Sequence, residues 1–535
     1  MATKNNKDSD YKWWVLVVVV ISSFMSVLDS SGMNIALPHF MVAFGINMDQ
    51  VEWITTAYML AFAIFILLAT WIKNVIGLKQ TFLFGLIFFV LGSFLCSFSW
   101  SLDSLIFFRI IQAIGAGSIT PIGVTMLSEV FPKEERGFAL GMWGAGTTLA
   151  PAIGPALFGY IIDHIGWRAL FYINIPIGIL TLFWGITVLK PSKSNPALYK
   201  TFDFIGFITF SLFVSTLLVV LQKGQEKGWS SDYIMHLAVI SYFSFFSFII
   251  TEFMVKRPIM DLSIFRNYNF SLSNIMGLTR SVALVGSVFM MSMFFQNIMS
   301  YSPTTAGMMV IPQALALSIS MPFAGRIADK IGSKPPLIAG TLLTAVSLYY
   351  FRYLSVYSSF EFIFTDLIMR GCGIGFMMAP LTNSAINALE PEQVNLGSGI
   401  LNLLIRIGSS ISIAMMGTIV EDRTDFHMST YTGSMAYNSP LWSTALNKIK
   451  TYVVYRGSSY YNAAIASKGI FIGDYMKKWA VINAYDDAFV IGALFVGASL
   501  IPALMLRNII YRKSKPKDSP KSRFRKLVDT NSSEF

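Results

Sequence analysis

Stretches of about twenty predominantly apolar residues, each long enough to cross a bilayer, recur along the whole of this chain. They lie near 13–36, 51–72, 81–100, 104–130, 137–162, 168–189, 203–221, 233–254, 270–296, 305–327, 336–355, 359–388, 396–420 and 486–507, and predict fourteen transmembrane helices. Backbone placed in hydrocarbon must satisfy its own amides, which makes helices the form for runs of this length. The expected fold class is an all-α polytopic membrane protein. Composition agrees, because 54% of the 535 residues are hydrophobic and only 13% charged, outside the range of soluble domains. The first run is long and ends without a small-residue cleavage site, so it reads as a retained helix rather than a signal peptide.

The net charge of +11 is spread over span ends and a tail from Arg507 to Lys526, a pattern of membrane orientation and not of nucleic-acid binding. Lys73, Lys79, Lys133, Arg136, Lys190, Lys193, Lys200, Lys256, Arg257, Arg266, Lys330 and Lys334 occupy the even-numbered connections. Those connections and both termini are therefore expected on the cytoplasmic side. Lys223 and Lys227 fall in an outward loop beside Glu226 and Asp232. Segment 421–485 also falls outside, and at that length is expected to form a small external element. Cys96 and Cys372 lie within apolar spans and the four histidines have no ligand spacing, so neither a disulfide, a metal site nor a cofactor is expected.

Two connections resemble each other. The one between helices ten and eleven reads Gly325-Arg-Ile-Ala-Asp329-Lys330-Ile-Gly332-Ser-Lys334, and the one between helices two and three reads Thr70-Trp-Ile-Lys-Asn74-Val75-Ile-Gly77-Leu-Lys79. Matching them places helices nine to fourteen over one to six, with seven and eight inserted. The expected organisation is a six-helix bundle over 1–200, two inserted helices over 201–267, and a second six-helix bundle over 268–535. The last includes external segment 421–485 and a basic cytoplasmic tail, 508–535.

Asp29 sits deep in the first span, where an unpaired carboxylate is costly and such residues serve ion or proton pathways. At about 100° per residue, Ser22, Met25, Ser26, Asp29, Met33 and Ala36 share one face, opposite Val20, Phe24 and Val27. Asp29 is expected to face inward. The competing reading is a carboxylate neutralised by a neighbouring helix for packing alone. Arg109 in helix four is the expected partner, since Asp29 lies roughly 24 Å from its cytoplasmic end and Arg109 about one turn from the outer end of its own helix. An arginine snorkelling to the outer headgroups is its alternative. No nucleotide-binding or hydrolase motif is present, so a carrier must use an ion gradient or run passively. A carboxylate that changes partners between two conformations can couple a proton gradient. In helix five, Gly137, Gly141, Gly144, Gly146, Gly154 and Gly159 with Pro151 and Pro155 predict a tight, bendable seam.

These features together resemble the major facilitator drug:proton antiporters of the fourteen-helix class, EmrB/QacA type. The matching pieces are Leu28-Asp29 with Asn34 to Pro38, Trp53 to Tyr58, Arg109-x-x-Gln112, Gly144 to Gly159, and Trp167 to Gly178. Phe202 to Gly206, Asp261 to Phe265, Tyr301 to Gly307 and Arg370-Gly371 continue them. The resemblance implies a major facilitator fold in a 6+2+6 arrangement in the inner (cytoplasmic) membrane, with Asp29 and Arg109 in proton coupling. It implies that Gly144, Pro151, Gly154, Pro155 and Gly159 form the antiporter motif, and that Gly77, Gly325, Asp329, Lys330 and Gly332 belong to gating segments. Asn74 and Val75 depart from the first gating pattern, and Phe158 replaces a helix-five glycine. Long segment 421–485 looks like EmrB, whose relatives work with a periplasmic adaptor and an outer-membrane channel.

Met33, Asn34, Trp53, Tyr58, Gln112, Trp143, Tyr172, Asn174, Arg280, Gln296 and Arg406 are the candidates for a substrate cavity, aromatic and amide groups being suited to amphipathic compounds. Arg280 and Arg406 have no sequence-local acid and either bind anionic groups or are neutralised at a distance. Asp366 and Arg370, four apart on helix twelve, read first as a structural pair. The expected function is proton-driven export of hydrophobic or amphipathic drugs. Export of an endogenous lipid or fatty acid is the second reading, and a non-transporting receptor or scaffold docking through 421–485 the third.

Overall fold

The computed structural model describes residues 2–191, 202–255, 258–433, 440–457 and 459–509. Lys193, Lys200, Lys256, Arg257, the tail beyond 509 and the side chains of Asn34 and Pro155 lie outside the described residues. The chain runs through α1 (Ala2–Phe44), α2 (Trp53–Ile76), α3 (Leu78–Ser97), α4 (Leu102–Val130), α5 (Arg136–Ile165), α6 (Asn174–Val188) and α7 (Phe204–Lys227). It continues through α8 (Asp232–Met254), α9 (Tyr268–Asn297), α10 (Ile311–Ile331), α11 (Lys334–Tyr350), α12 (Phe360–Asn387), α13 (Val394–Gly433) and α14 (Lys477–Ala498).

The all-helical class holds. Among the described residues 12 helices are long and apolar enough to cross a membrane, and α5, bent by 44° between Arg136–Gly154 and Leu157–Ile165, makes 13. The remaining candidate, α11, has 17 residues and is continued by a 3-10 turn, Phe351–Tyr353, so fourteen crossings stay compatible with the structure. Helix starts follow capping chemistry: Ser101 and Ser104 form a capping box at α4, and Asn267 and Ser359 cap α9 and α12.

The two similar connections share a backbone as well as a sequence. Gly77 ends α2 with φ 95° and ψ 164°, and Gly332 ends α10 with φ 90° and ψ 164°. That region is open to glycine and strained for any side chain, so both glycines fix how the chain turns into the next helix.

The expected end of helix thirteen near 420 differs from the structure. α13 continues without a break to Gly433, 40 residues or roughly 60 Å, twice a hydrocarbon core of about 30 Å. Helices Pro440–Tyr455 and Tyr460–Ile470 and a π turn, Phe471–Met476, lead into α14, which starts before 486. The extension is held by polar pairs that hydropathy does not register. The Arg423 Nε donates to Asp487 at 2.7 Å, the His427 ring lies 2.7 Å from the same carboxylate, and Asn483 bonds Tyr431. Residues 423, 427 and 431 are spaced to share one face of α13 opposite α14.

α5 packs between α1 and α10. A Cβ on Gly146 would meet Val20 and one on Gly154 would meet Ser31 of α1, while Gly137, Gly141 and Gly144 face Gly325 and Met321 of α10. Gly159 has nothing within 4 Å, so it takes no part in this packing. The unexpected Phe158 is fully buried with its ring against Gly32 of α1, a bulky residue matched to a residue without a side chain. On α8, Tyr242, Phe243, Ile250 and Phe253 are exposed, as a lipid-facing surface requires.

Candidate functional site

The face of α1 expected to turn inward is the buried one: Ser22, Met25, Ser26, Asp29, Met33 and Ala36 are all 2% exposed or less. Asp29 meets Arg109, whose Nη1 donates to Oδ2 at 2.5 Å. Oδ1 accepts from Gln112 Nε2 at 2.9 Å and from Asn174 Nδ2 at 2.8 Å. Gln112 is itself oriented, accepting from Arg109 Nη1 at 2.6 Å and donating to Ser93 Oγ at 2.8 Å. The Arg109 guanidinium stacks on the Tyr58 ring at 4.0 Å. Residues from α1, α2, α3, α4 and α6 thus enclose one carboxylate with no exposed atom surface of consequence. Both charges are out of water, which is tolerable only because the pair is close and its remaining lone pairs are filled.

A second ion pair lies in α12. Arg370 Nη2 donates to Asp366 Oδ2 at 2.7 Å, Ser347 Oγ of α11 donates to the same oxygen at 2.8 Å, and the guanidinium lies 4.1 Å over the Phe351 ring. Arg370 is fully buried, so the expected local pairing is realised inside the protein.

The connections after α2, α4, α10 and α12 gather at one end of the bundle, where hydrogen bonds cross between α1–α6 and α9–α14. Asp329 at the end of α10 accepts from the backbone amides of Gly137 at 2.8 Å and Phe138 at 2.9 Å. Amides in the first turn of a helix have no partner within it, and α5 has no side-chain cap of its own because Glu135 pairs with Lys12. The Asp329 carboxylate fills that place and meets the positive end of the helix dipole. A Cβ on Gly137 would come 2.5 Å from the Gly325 carbonyl, so the approach depends on glycine in both helices. Beneath the first connection, where Asn74 and Val75 replace charged residues, the crossing bonds are neutral. Asn395 donates to the Thr70 carbonyl at 2.9 Å, and Ser398 to the Pro121 carbonyl at 3.2 Å.

Past this closed end lies a cavity of about 500 Å³ walled by α1, α2, α4, α5, α9, α10, α12 and α13. Of the eleven cavity candidates, Trp143, Arg280 and Arg406 line it. Tyr58, Gln112 and Asn174 belong to the Asp29 cluster instead. Met33 is buried in an apolar cluster with Phe40 and Phe158. Trp53 and Tyr172 are 44% and 42% exposed, and the Gln296 amide turns back to the Ser292 carbonyl on its own helix. Thr147, Thr148 and Gln313 also line the cavity and were not singled out in the sequence. The near-helical spacing of Thr147, Thr148 and Pro151 in the glycine-rich span was the available signal.

The family model described as Major Facilitator Superfamily matches residues 19–412. The chain is similar to the uncharacterized MFS-type transporter YhcA of Bacillus subtilis, 28% identical over 520 residues and covering 96% of each chain. It is 31% identical over 462 residues to the riboflavin transporter RibZ of Clostridioides difficile, covering 86% of this chain and 96% of that one. It is 28% identical over 421 residues to the multidrug export protein EmrB of Escherichia coli, covering 78% and 82%. Among solved structures it resembles the human organic anion transporter MFSD10 (TETRAN), with a TM-score of 0.53 at 11% identity, covering 91% of this chain and 99% of that one, a likeness of fold alone.

Proposed function

The chain belongs to the Major Facilitator Superfamily and is a multi-pass membrane transporter, and on that premise we propose that it is a proton-coupled efflux antiporter for hydrophobic or amphipathic compounds, working by alternating access. The observation that carries this reading is the buried Asp29 cluster. A carboxylate enclosed by three donors is a place where a proton binds only when those donors withdraw, which ties protonation to conformation. The similarity to EmrB supports the substrate class. In this reading α1–α6 and α9–α14 are the two bundles, 1–200 and 268–535, with α7 and α8 inserted between them over 201–267. The proton gradient is the energy source and no cofactor takes part. The external helices of 421–485 are the surface for a periplasmic adaptor leading to an outer-membrane channel.

The test is uptake of amphipathic dyes into liposomes holding the purified protein, with the interior made acidic. Substrate accumulates well above protein-free vesicles only while the gradient lasts. Uptake indifferent to the gradient would reject proton coupling.

Orientation in the inner (cytoplasmic) membrane follows from the basic residues of the even-numbered connections, and places both termini in the cytoplasm. In a background lacking Cys96 and Cys372, an impermeant thiol reagent added outside labels Ser443→Cys and spares Ser514→Cys. The reverse pattern would overturn the orientation.

A further inference from the structure

Within that transport reading, we propose that the central cavity is built for an anionic head on an apolar tail, with Arg280 and Arg406 holding a carboxylate or phosphate. Among the described residues the lining is apolar apart from hydroxyl and amide groups and these two arginines, and it contains no aspartate or glutamate. The other two buried arginines among the described residues each have a carboxylate partner, Asp29 for Arg109 and Asp366 for Arg370. Arg280 is 4% exposed, has no ion pair among the described residues, and its Nε has no hydrogen-bond partner. Arg406 is partly buried at the cavity wall and lies 4.6 Å over the Phe62 ring, again with no ion pair among the described residues. Gln313, 1% exposed on the same wall, leaves both its amide nitrogen and its amide oxygen unpartnered.

Buried cations inside a membrane protein pair with acids or mark a substrate path. Among the described residues no acid lines this cavity, and the buried carboxylate of α1, Asp29, is already engaged by Arg109. Two uncompensated guanidiniums and an unsatisfied amide around one cavity therefore specify the charge of what completes it. The shape specifies the rest: a π turn over Val282–Gly286 begins two residues after Arg280 and carries Leu284 and Val285 into the lining, and π turns inside helices concentrate at functional sites. A volume of about 500 Å³ is within the range of small-molecule sites, so head and tail are both accommodated.

The experiment is equilibrium binding of radiolabelled dodecanoate to the full chain in nanodiscs, at one pH and with no gradient, so that it is independent of proton coupling. Dodecyl phosphate competes, whereas dodecyltrimethylammonium and inorganic phosphate do not, which separates a charged amphiphile from a bare anion and from a lipophilic cation. Arg280→Gln and Arg406→Gln each weaken binding about ten- to a hundredfold, as expected for a charged hydrogen bond, while Arg280→Lys and Arg406→Lys keep part of it. The competition in wild-type protein decides the matter even if a variant fails to fold. Equal competition by the cation, or unchanged binding in folded glutamine variants, would overturn the proposal. Dodecanoate binding without transport would count against the efflux reading and leave the site standing.

Discussion

Asp29→Asn protein, reconstituted at the same density as wild type, moves no protons in response to substrate. Asparagine is close to isosteric and can still accept from Gln112 and Asn174, but it cannot take up and release a proton, and it turns an amide toward Arg109. The arginine is left without its carboxylate, a loss of about 3–5 kcal/mol where a buried pair is broken, so thermal stability falls while insertion persists. Arg109→Ala, which removes the other partner, impairs coupling and leaves downhill exchange. Substrate-induced proton flux in liposomes is the measurement. Wild-type flux with wild-type pH dependence in Asp29→Asn would make the aspartate structural.

Asp329→Ala shifts the protein away from the form closed at the end where α5 meets α10. Two charge-assisted bonds to Gly137 and Phe138 are lost, and water re-satisfies part of them, which leaves about 2 kcal/mol, roughly thirtyfold in the ratio of closed to open forms. Spin labels on Gln80→Cys and Glu392→Cys, both exposed and near that end, report it as a longer distance population. Asn395→Ala removes one neutral bond to the Thr70 carbonyl and shifts the distribution far less. An unchanged distribution in Asp329→Ala would show that the contact does not hold the end shut.

What the sequence made legible was whatever a single helix or a repeated segment carries. The depth of Asp29 and Arg109 in their spans predicted their meeting, and the copied connections picked out two segments that both turn at a glycine with matching backbone angles. What stayed hidden was assignment across helices. Gln112 and Asn174 are polar residues in apolar spans, which read the same whether they face a substrate or, 83 and 145 residues away in sequence, a carboxylate. Phe158 looked like a departure from pattern until Gly32 was seen beneath it. The extension of α13 escaped because hydropathy stops at Glu421 while the pairing of Arg423 and His427 with Asp487 does not.

The donors around Asp29 have one further consequence. All of them sit on α4 and α6, and Ser93 and Tyr58, which steady those donors, sit on α3 and α2. Turning α1–α6 as a solid body against α9–α14, like the covers of a book, would leave every one of those distances as it is. In the proposed antiport, a proton would reach Asp29 only if one cover itself flexed. The helix placed to transmit that flexing is α5, bent by 44°, whose Gly154 and Phe158 rest on α1 within three residues of Asp29 and whose Gly137, Gly141 and Gly144 rest on α10. On the proposed mechanism, chemistry and stroke would be joined by the deformation of one helix, and stiffening α5 would uncouple them while leaving both the charge pair and the cavity intact.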